Sequence, residues 1–166
     1  ICKNDYYGIG LVGSLNNNII SYNIIYENDL GVVNLMPTNS NNNTISYNVI
    51  CKNNRGGVSI YGSSWNISSN KIRENNVAGI ALMEAFNNTI TNNTINANNG
   101  HGIKLVDSSG NNITGNTVSS NNESGISSYG LSSYGLNNNT ISGNKISSNK
   151  YDGIFLGSRS SNNTIT

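Results

Sequence analysis

Charge is scarce in this chain: only 10% of its 166 residues are Asp, Glu, Lys or Arg, and the formal net charge is +1. No basic field exists that would hold nucleic acid or an anionic membrane. Proline, histidine and tryptophan occur once each and cysteine twice. No apolar run is long enough to span a bilayer, and neither a secretory leader nor a lipidation motif is present. The chain starts and stops in mid-repeat, at Ile1-Cys2-Lys3-Asn4 and Asn163-Thr164-Ile165-Thr166. It therefore reads as a single segment, 1–166, excerpted from a longer polypeptide, and the missing leader carries no weight. Hydrophobic content is 35%, with Gly, Ser, Thr and above all Asn filling the difference. Such a composition suits a disordered chain; the regular placement of its apolar residues excludes that.

Repetition decides the fold. Asn23, Asn48, Asn70, Asn93, Asn116 and Asn144 recur at spacings of 25, 22, 23, 23 and 28. Five residues after each stands another: Asn28, Asn53, Asn75, Asn98, Asn121 and Asn149, with Asn4 as a partial copy. Ile20, Ile45, Ile67, Ile90, Ile113 and Ile141 lie three before the first set; Ile25, Ile50, Ile72, Ile95, Val118 and Ile146 lie two after it. Counting five from the second Asn gives Ile9, Val33, Val58, Ile80, Ile103, Ile126 and Ile154. Two further on come Leu11, Leu35, Ile60, Leu82, Leu105, Ser128 and Leu156.

These segments are short, β-branched and alternate with polar residues, which is strand periodicity. A coil of about 23 residues accommodates three strands of three to five residues, and successive coils then pair in parallel about 4.8 Å apart. The expected architecture is all-β: a right-handed single-stranded parallel β-helix of about seven coils of 22–28 residues. Isoleucine files fill its interior, and the two Asn columns form hydrogen-bonded amide ladders along the axis. Surplus runs such as Asn41-Asn42-Asn43 are assigned to surface turn. Gly8, Gly57, Gly79, Gly102, Gly125 and Gly153, each directly before a column residue, mark a corner that needs unusual backbone angles or close approach. The open ends expose unpaired strand edges, which argues for continuation or end-on association.

The recurring text, Gly79-Ile80-Ala81-Leu82, Asn88-Thr89-Ile90 and Asn93-Thr94-Ile95-Asn96-Ala97-Asn98, resembles pectin-lyase-like parallel β-helix repeats. It is similar to NosD-like periplasmic copper-processing proteins, to carbohydrate-binding and sugar-hydrolase repeat domains, and to Asn-rich adhesin-like surface proteins of methanogenic archaea. The likeness covers essentially the whole chain and implies a secreted or surface-attached protein. The matching residues are structural ones, so it specifies fold far better than activity.

Chemistry-bearing residues are few. His101, in Gly100-His101-Gly102, is similar to the Gly-His-Gly element of polygalacturonases, but the paired aspartates of those enzymes are missing and a corner histidine is the plainer reading. Glu84 and Asp107 each lie four residues after a column Ile and should stack on adjacent coils, roughly 5 Å apart. They are weak candidates for a Ca²⁺ site or an acid/base pair, with Lys104 and Arg159 as cations that could lie nearby. Asp5 and Asp29 form a second stacked pair. Cys2 and Cys51 are expected two coils apart, with Tyr26 between them, and therefore free. Sequons at Asn42, Asn87, Asn138 and Asn162 align on one corner and are candidate glycosylation sites; those at Asn66, Asn92, Asn112 and Asn122 follow from composition. A stripe of Val12, Met36, Tyr61, Met83, Val106 and Tyr129 either faces outward as a partner surface or turns in as core. The duplicated SSYGL at 127–136 lengthens one coil and should present Tyr134 on a loop.

The functional expectation is an extracellular or cell-surface rod, structural or adhesin-like, contacting polysaccharide or associating laterally or end-on, with catalysis less expected than binding. The alternatives are a segment of a polysaccharide lyase or glycoside hydrolase, and a NosD-like accessory to periplasmic metal-centre assembly.

Overall fold

The computed structural model describes residues 1–13, 15–34, 40–131 and 135–166. Among them lie 22 short strands and no helix. Three parallel sheets run the length of a coiled chain. The first stacks Tyr7–Leu11, Leu30–Asn34, Val58–Ile60, Ile80–Met83, Ile103–Val106, Ile126–Tyr129 and Ile154–Leu156. The second stacks Ile19–Ser21, Thr44–Ser46, Asn66–Ser68, Thr89–Thr91, Asn112–Thr114, Thr140–Ser142 and Thr164–Ile165. The third stacks Ile24–Tyr26, Val49–Cys51, Lys71–Arg73, Thr94–Asn96, Thr117–Ser119 and Lys145–Ser147. The chain visits the sheets in turn, so each coil lays one strand on each face. Ile90, for example, lies in register with Ile67 and Ile113.

Burial follows that register. Ile45, Ile50, Ile67, Ile72, Ile90, Ile95, Ile80 and Ile103 are wholly buried, and Ile20 to Ile141 form one continuous apolar cluster. Each such side chain contributes about 1.5–3 kcal/mol on leaving water. Trp65 joins the core where other coils carry Asn, and its indole N–H donates to Ser40 O at 3.2 Å.

The amide ladders are present and complete at their centre. Asn70 Oδ1 accepts both the backbone N–H and the side-chain Nδ2 of Asn48, at 2.9 and 3.0 Å. Its Nδ2 donates onward to Asn93 Oδ1 at 3.0 Å and back to Ile45 O at 2.8 Å. Asn28, Asn53, Asn75, Asn98, Asn121 and Asn149 repeat the pattern at the next corner. A short side chain with an acceptor and two donors on one carbon meets every demand of that corner; Asp lacks the donors and Gln is too long.

The expectation of a uniformly interior file is corrected at its two ends. Asn23 and Asn144 are half-buried, whereas Asn48, Asn70, Asn93 and Asn116 between them are buried. Asn23 is the first rung: its backbone N–H and Nδ2 donate to Asn48 Oδ1 at 2.9 and 3.2 Å, and Nδ2 also donates to Ser21 O at 2.9 Å. Asn144 is the last: its Oδ1 accepts from the backbone N–H and Nδ2 of Asn116 at 2.9 and 3.0 Å, and its Nδ2 donates to Ile113 O at 2.8 Å. Each has a neighbouring rung on one side only, so its outer side meets solvent. Asn149, half-buried, ends the second file in the same way.

A third ladder runs through Asn18, Asn43, Asn88, Asn111, Asn139 and Asn163, interrupted by Trp65. The assignment of Asn41-Asn42-Asn43 to surface turn is therefore corrected: Asn43 is 1% exposed, Asn41 is half-buried and Asn42 is exposed. The left-handed backbone falls on the residue before each ladder Asn, such as Asn92 (φ 55) and Glu74 (φ 56), leaving the Asn itself free to point inward.

The corner glycines, except Gly153 in the last coil, owe their identity to close approach. A Cβ on Gly79 would lie 2.6 Å from Ile95 Cγ2 and 2.8 Å from Gly102 O, and that glycine has no positive φ. Counting fails in the second coil. Val32 aligns with Ile9 and Val58, and Asn34, buried, aligns with Leu11, where Val33 and Leu35 had been expected. The turn after Asn28 is one residue shorter than its counterparts, so every later position in that strand moves up by one. Gly31 completes the glycine column there. Leu35 and Met36 lie outside the described residues.

A cleft across three coils on the first sheet

Outward-facing positions of the first sheet change from coil to coil. Lys104, Ser127 and Phe155 are register partners on three successive coils. Lys104 and Phe155 border a cleft of about 370 Å³, also walled by Tyr129, Tyr151 and Asp152; Ser127 is not part of its lining. Ser127 is wholly buried, and its Oγ has no hydrogen-bond partner among the described residues. A hydroxyl left so costs about 1–3 kcal/mol unless something supplies the missing bond.

His101 closes one end. Its ring is 7% exposed, pinned from two directions: Nδ1 accepts the Ser124 backbone N–H at 3.2 Å, and Nε2 lies 2.8 Å from Glu123 Oε2. That pattern places the proton of the neutral ring on Nε2, which donates to the carboxylate. Burial lowers the histidine below its ordinary pKa; the Glu123 charge pulls the other way, and Lys104 lowers it further. Tyr129 links the parts. Its hydroxyl is 3.5 Å from His101 Nε2, its ring tilts against Phe155 at 5.3 Å between centroids, and the Lys104 ammonium sits 5.8 Å from its centre.

A second, more apolar hollow of about 220 Å³ adjoins on the same sheet, lined by Leu30, Arg55, Val77, Met83, Val106 and again Lys104. Met83, Val106 and Tyr129 of the apolar stripe thus face outward, half-buried, along these two hollows; Tyr61 is also half-buried, and Val12 is exposed. Tyr134 lies outside the described residues.

Glu84 and Asp107 follow register partners Met83 and Val106, as spacing implies, but they differ in environment. Glu84 is exposed, whereas Asp107 is 5% exposed and accepts the Leu131 N–H at 2.8 Å, tying down the lengthened coil. Among the described residues no group of three or more His, Cys, Asp or Glu side chains is placed to hold a metal ion. Asp29 pairs with Arg55 at 3.3 Å, and Asp5 is exposed. Cys2 and Cys51 are free, one coil to either side of Tyr26. Asn42, Asn87, Asn138 and Asn162 are all exposed, in left-handed conformation, in one file along a corner. Sequence reasoning reached His101, Lys104 and Tyr129 but missed Glu123, Tyr151, Asp152 and Phe155. Aligning the coils on the Gly-Ile corner and reading the outward position after each Ile would have exposed Lys104-Ser127-Phe155 as one file.

The architecture is that of a parallel β-helix carrying a built cleft on its first sheet. Residues 34–166 match the right-handed β-helix region, and the chain belongs to that family. No curated protein sequence matches it. Among solved structures it is similar to a double mutant of the periplasmic alginate epimerase AlgG (TM-score 0.91, 21% identity), covering 99% of this chain and 43% of that one. It is also similar to the A-module of the Azotobacter vinelandii mannuronan C-5 epimerase AlgE6 (TM-score 0.75, 18% identity, 99% and 56% covered). The enzymatically active domain of bacteriophage CBA120 tailspike protein 2 aligns more loosely (TM-score 0.52, 14% identity, 97% and 38% covered). The chain spans less than half the length of AlgG, and likeness at these identities establishes fold alone.

Proposed function

We propose that this chain is a segment of an extracellular or periplasmic β-helix that holds a polysaccharide against its first sheet. The observation that carries the reading is the three-coil cleft. Tyr151, Phe155 and Tyr129 offer apolar rings for sugar faces. Glu123, Asp152 and Lys104 offer charged hydrogen-bonding groups for hydroxyls. Structural neighbours named for alginate and mannuronan support a glycan ligand. The rod shape suits a long chain laid along it, since seven coils span about 30 Å. No helix among the described residues is long and apolar enough to cross a membrane.

Binding is favoured over catalysis by the state of His101. A general base needs a lone pair facing the sugar; here Nδ1 accepts a backbone N–H and Nε2 faces Glu123 and Tyr129. The lyase or hydrolase alternative through Glu84 and Asp107 would need Asp107 to leave the Leu131 amide. Retardation in native gels cast with polysaccharides tests the proposal: wild type slows in at least one gel and Tyr129→Ala slows less, by about tenfold in Kd, the equivalent of ~1.4 kcal/mol. Equal mobility of wild type and variant in every gel contradicts it.

A further inference from the structure

Resting on that proposal, the cleft's charges define the sugar it takes. Two carboxylates, Glu123 and Asp152, line it against one cation, Lys104. The fourth ionisable group, His101, is buried beside Lys104, which keeps it uncharged at neutral pH. Its Nε2–H is already directed at Glu123, so the imidazole does not offer an anion a positive partner. Lys104 is shared: it stands between this hollow and the apolar one beside it, with its ammonium toward the Tyr129 ring. Among the described residues no arginine lines the cleft.

A uronate polymer carries a carboxylate on every residue, and each would meet two like charges in a partly desolvated hollow. An uncharged hexose has instead a ring face for Tyr151 or Phe155 and adjacent hydroxyls that donate to carboxylate oxygens. It also has oxygens that accept from the Lys104 ammonium, which lines the cleft. We infer that the cleft walled by Tyr129, Tyr151, Asp152 and Phe155 is selective for an uncharged hexose polysaccharide and rejects polyuronates, in contrast to the alginate and mannuronan for which the structural neighbours are named.

Affinity electrophoresis at neutral pH and low salt, with a panel of uncharged glucans, galactans and mannans beside polymannuronate, reads the selectivity. Wild type is expected to be retarded by at least one uncharged polymer and by polymannuronate at least about tenfold less, a gap of ~1.4 kcal/mol. The double variant Glu123→Gln with Asp152→Asn should narrow that gap by gaining retardation in polymannuronate. Tyr151→Ala should weaken the uncharged ligand while leaving the fold intact by circular dichroism. Stronger retardation of wild type by polymannuronate overturns the selectivity and leaves the polysaccharide proposal standing. Retardation by no polymer at all overturns both.

Discussion

Of the asparagine files that run along this molecule, one buried and one exposed share the same spacing and do different work. Asn70, Asn93 and Asn116 face inward; Asn76, Asn99 and Asn122 face water. The outer file is bonded too, Asn99 Nδ2 to Asn76 Oδ1 at 3.3 Å and Asn122 Nδ2 to Asn99 Oδ1 at 2.8 Å. Outside, however, water offers each amide equivalent partners, and the net gain of such a bond is small. Inside, Asn93 meets the backbone N–H of Asn70 and the carbonyls of Ile67 and Thr91, away from water. Stacking like on like is therefore not a source of stability by itself. Burial makes it one, and this is why the interior repeats faithfully while the exterior is free to vary and build a site.

The contrast sharpens most with charge. Asn93→Asp places a carboxylate among buried carbonyls and is expected to cost about 3–5 kcal/mol, or to prevent folding. Asn99→Asp on the outer file should stay within about 0.5 kcal/mol of wild type in urea unfolding. Comparable losses in the two would break the comparison. Trp65 tests the position where an inner ladder is interrupted. Trp65→Ala should cost about 3–5 kcal/mol through the cavity it leaves. Trp65→Asn can bond to Asn43 and Asn88, and should cost less than the alanine variant by calorimetry.

Gly79→Ala is next in size. Its methyl would meet the Gly102 carbonyl and Ile95, and about 1–3 kcal/mol of destabilisation is expected in urea. Gly13, where an added carbon meets nothing, differs only in its left-handed angle. The smallest effect is expected at His101. Its pKa in the fold lies below the unfolded value of about 6.5, so the unfolded chain binds more protons as pH falls through that range. Stability should therefore be full above that value and decline below it until the lower, folded value is passed. The drop in urea midpoint between pH 7.5 and 5.5 should be larger in wild type than in His101→Asn. An identical drop would show that burial of the ring imposes no such cost.

How much of this was legible depends on which side of the sheet a residue faces. Ile90, Asn93 and Ile95 were readable because the interior admits one solution per position and repeats it in every coil. Spacing places Asn23 and Asn144 in the same file, but it carries no sign that an end rung is covered on one side only. The misreading at Val33 and Leu35 arose from assuming constant turn length; Gly31, required by contact with the Gly57 carbonyl, was the true marker. Asn43 was taken for surface along with its neighbours, although its position two before Ile45 matches Asn88 and Asn111. The cleft was harder to read. Its lining comes from three coils and follows no repeated column: Lys104 and Phe155 share a file, whereas Glu123, Tyr151 and Asp152 lie in the segments that precede the strands. Asp107 looked like a ligand beside Glu84 until the lengthened coil supplied it with an amide to accept.

The most direct test is the unfolding free energy of Asn93→Ala against that of Asn99→Ala, measured by urea titration under identical conditions. Loss of Asn93 strands several buried polar groups at about 1–3 kcal/mol each, so a deficit of roughly 3 kcal/mol or more is predicted, against less than about 0.5 for Asn99. Equal deficits, or an unchanged midpoint for Asn93→Ala, would contradict the account.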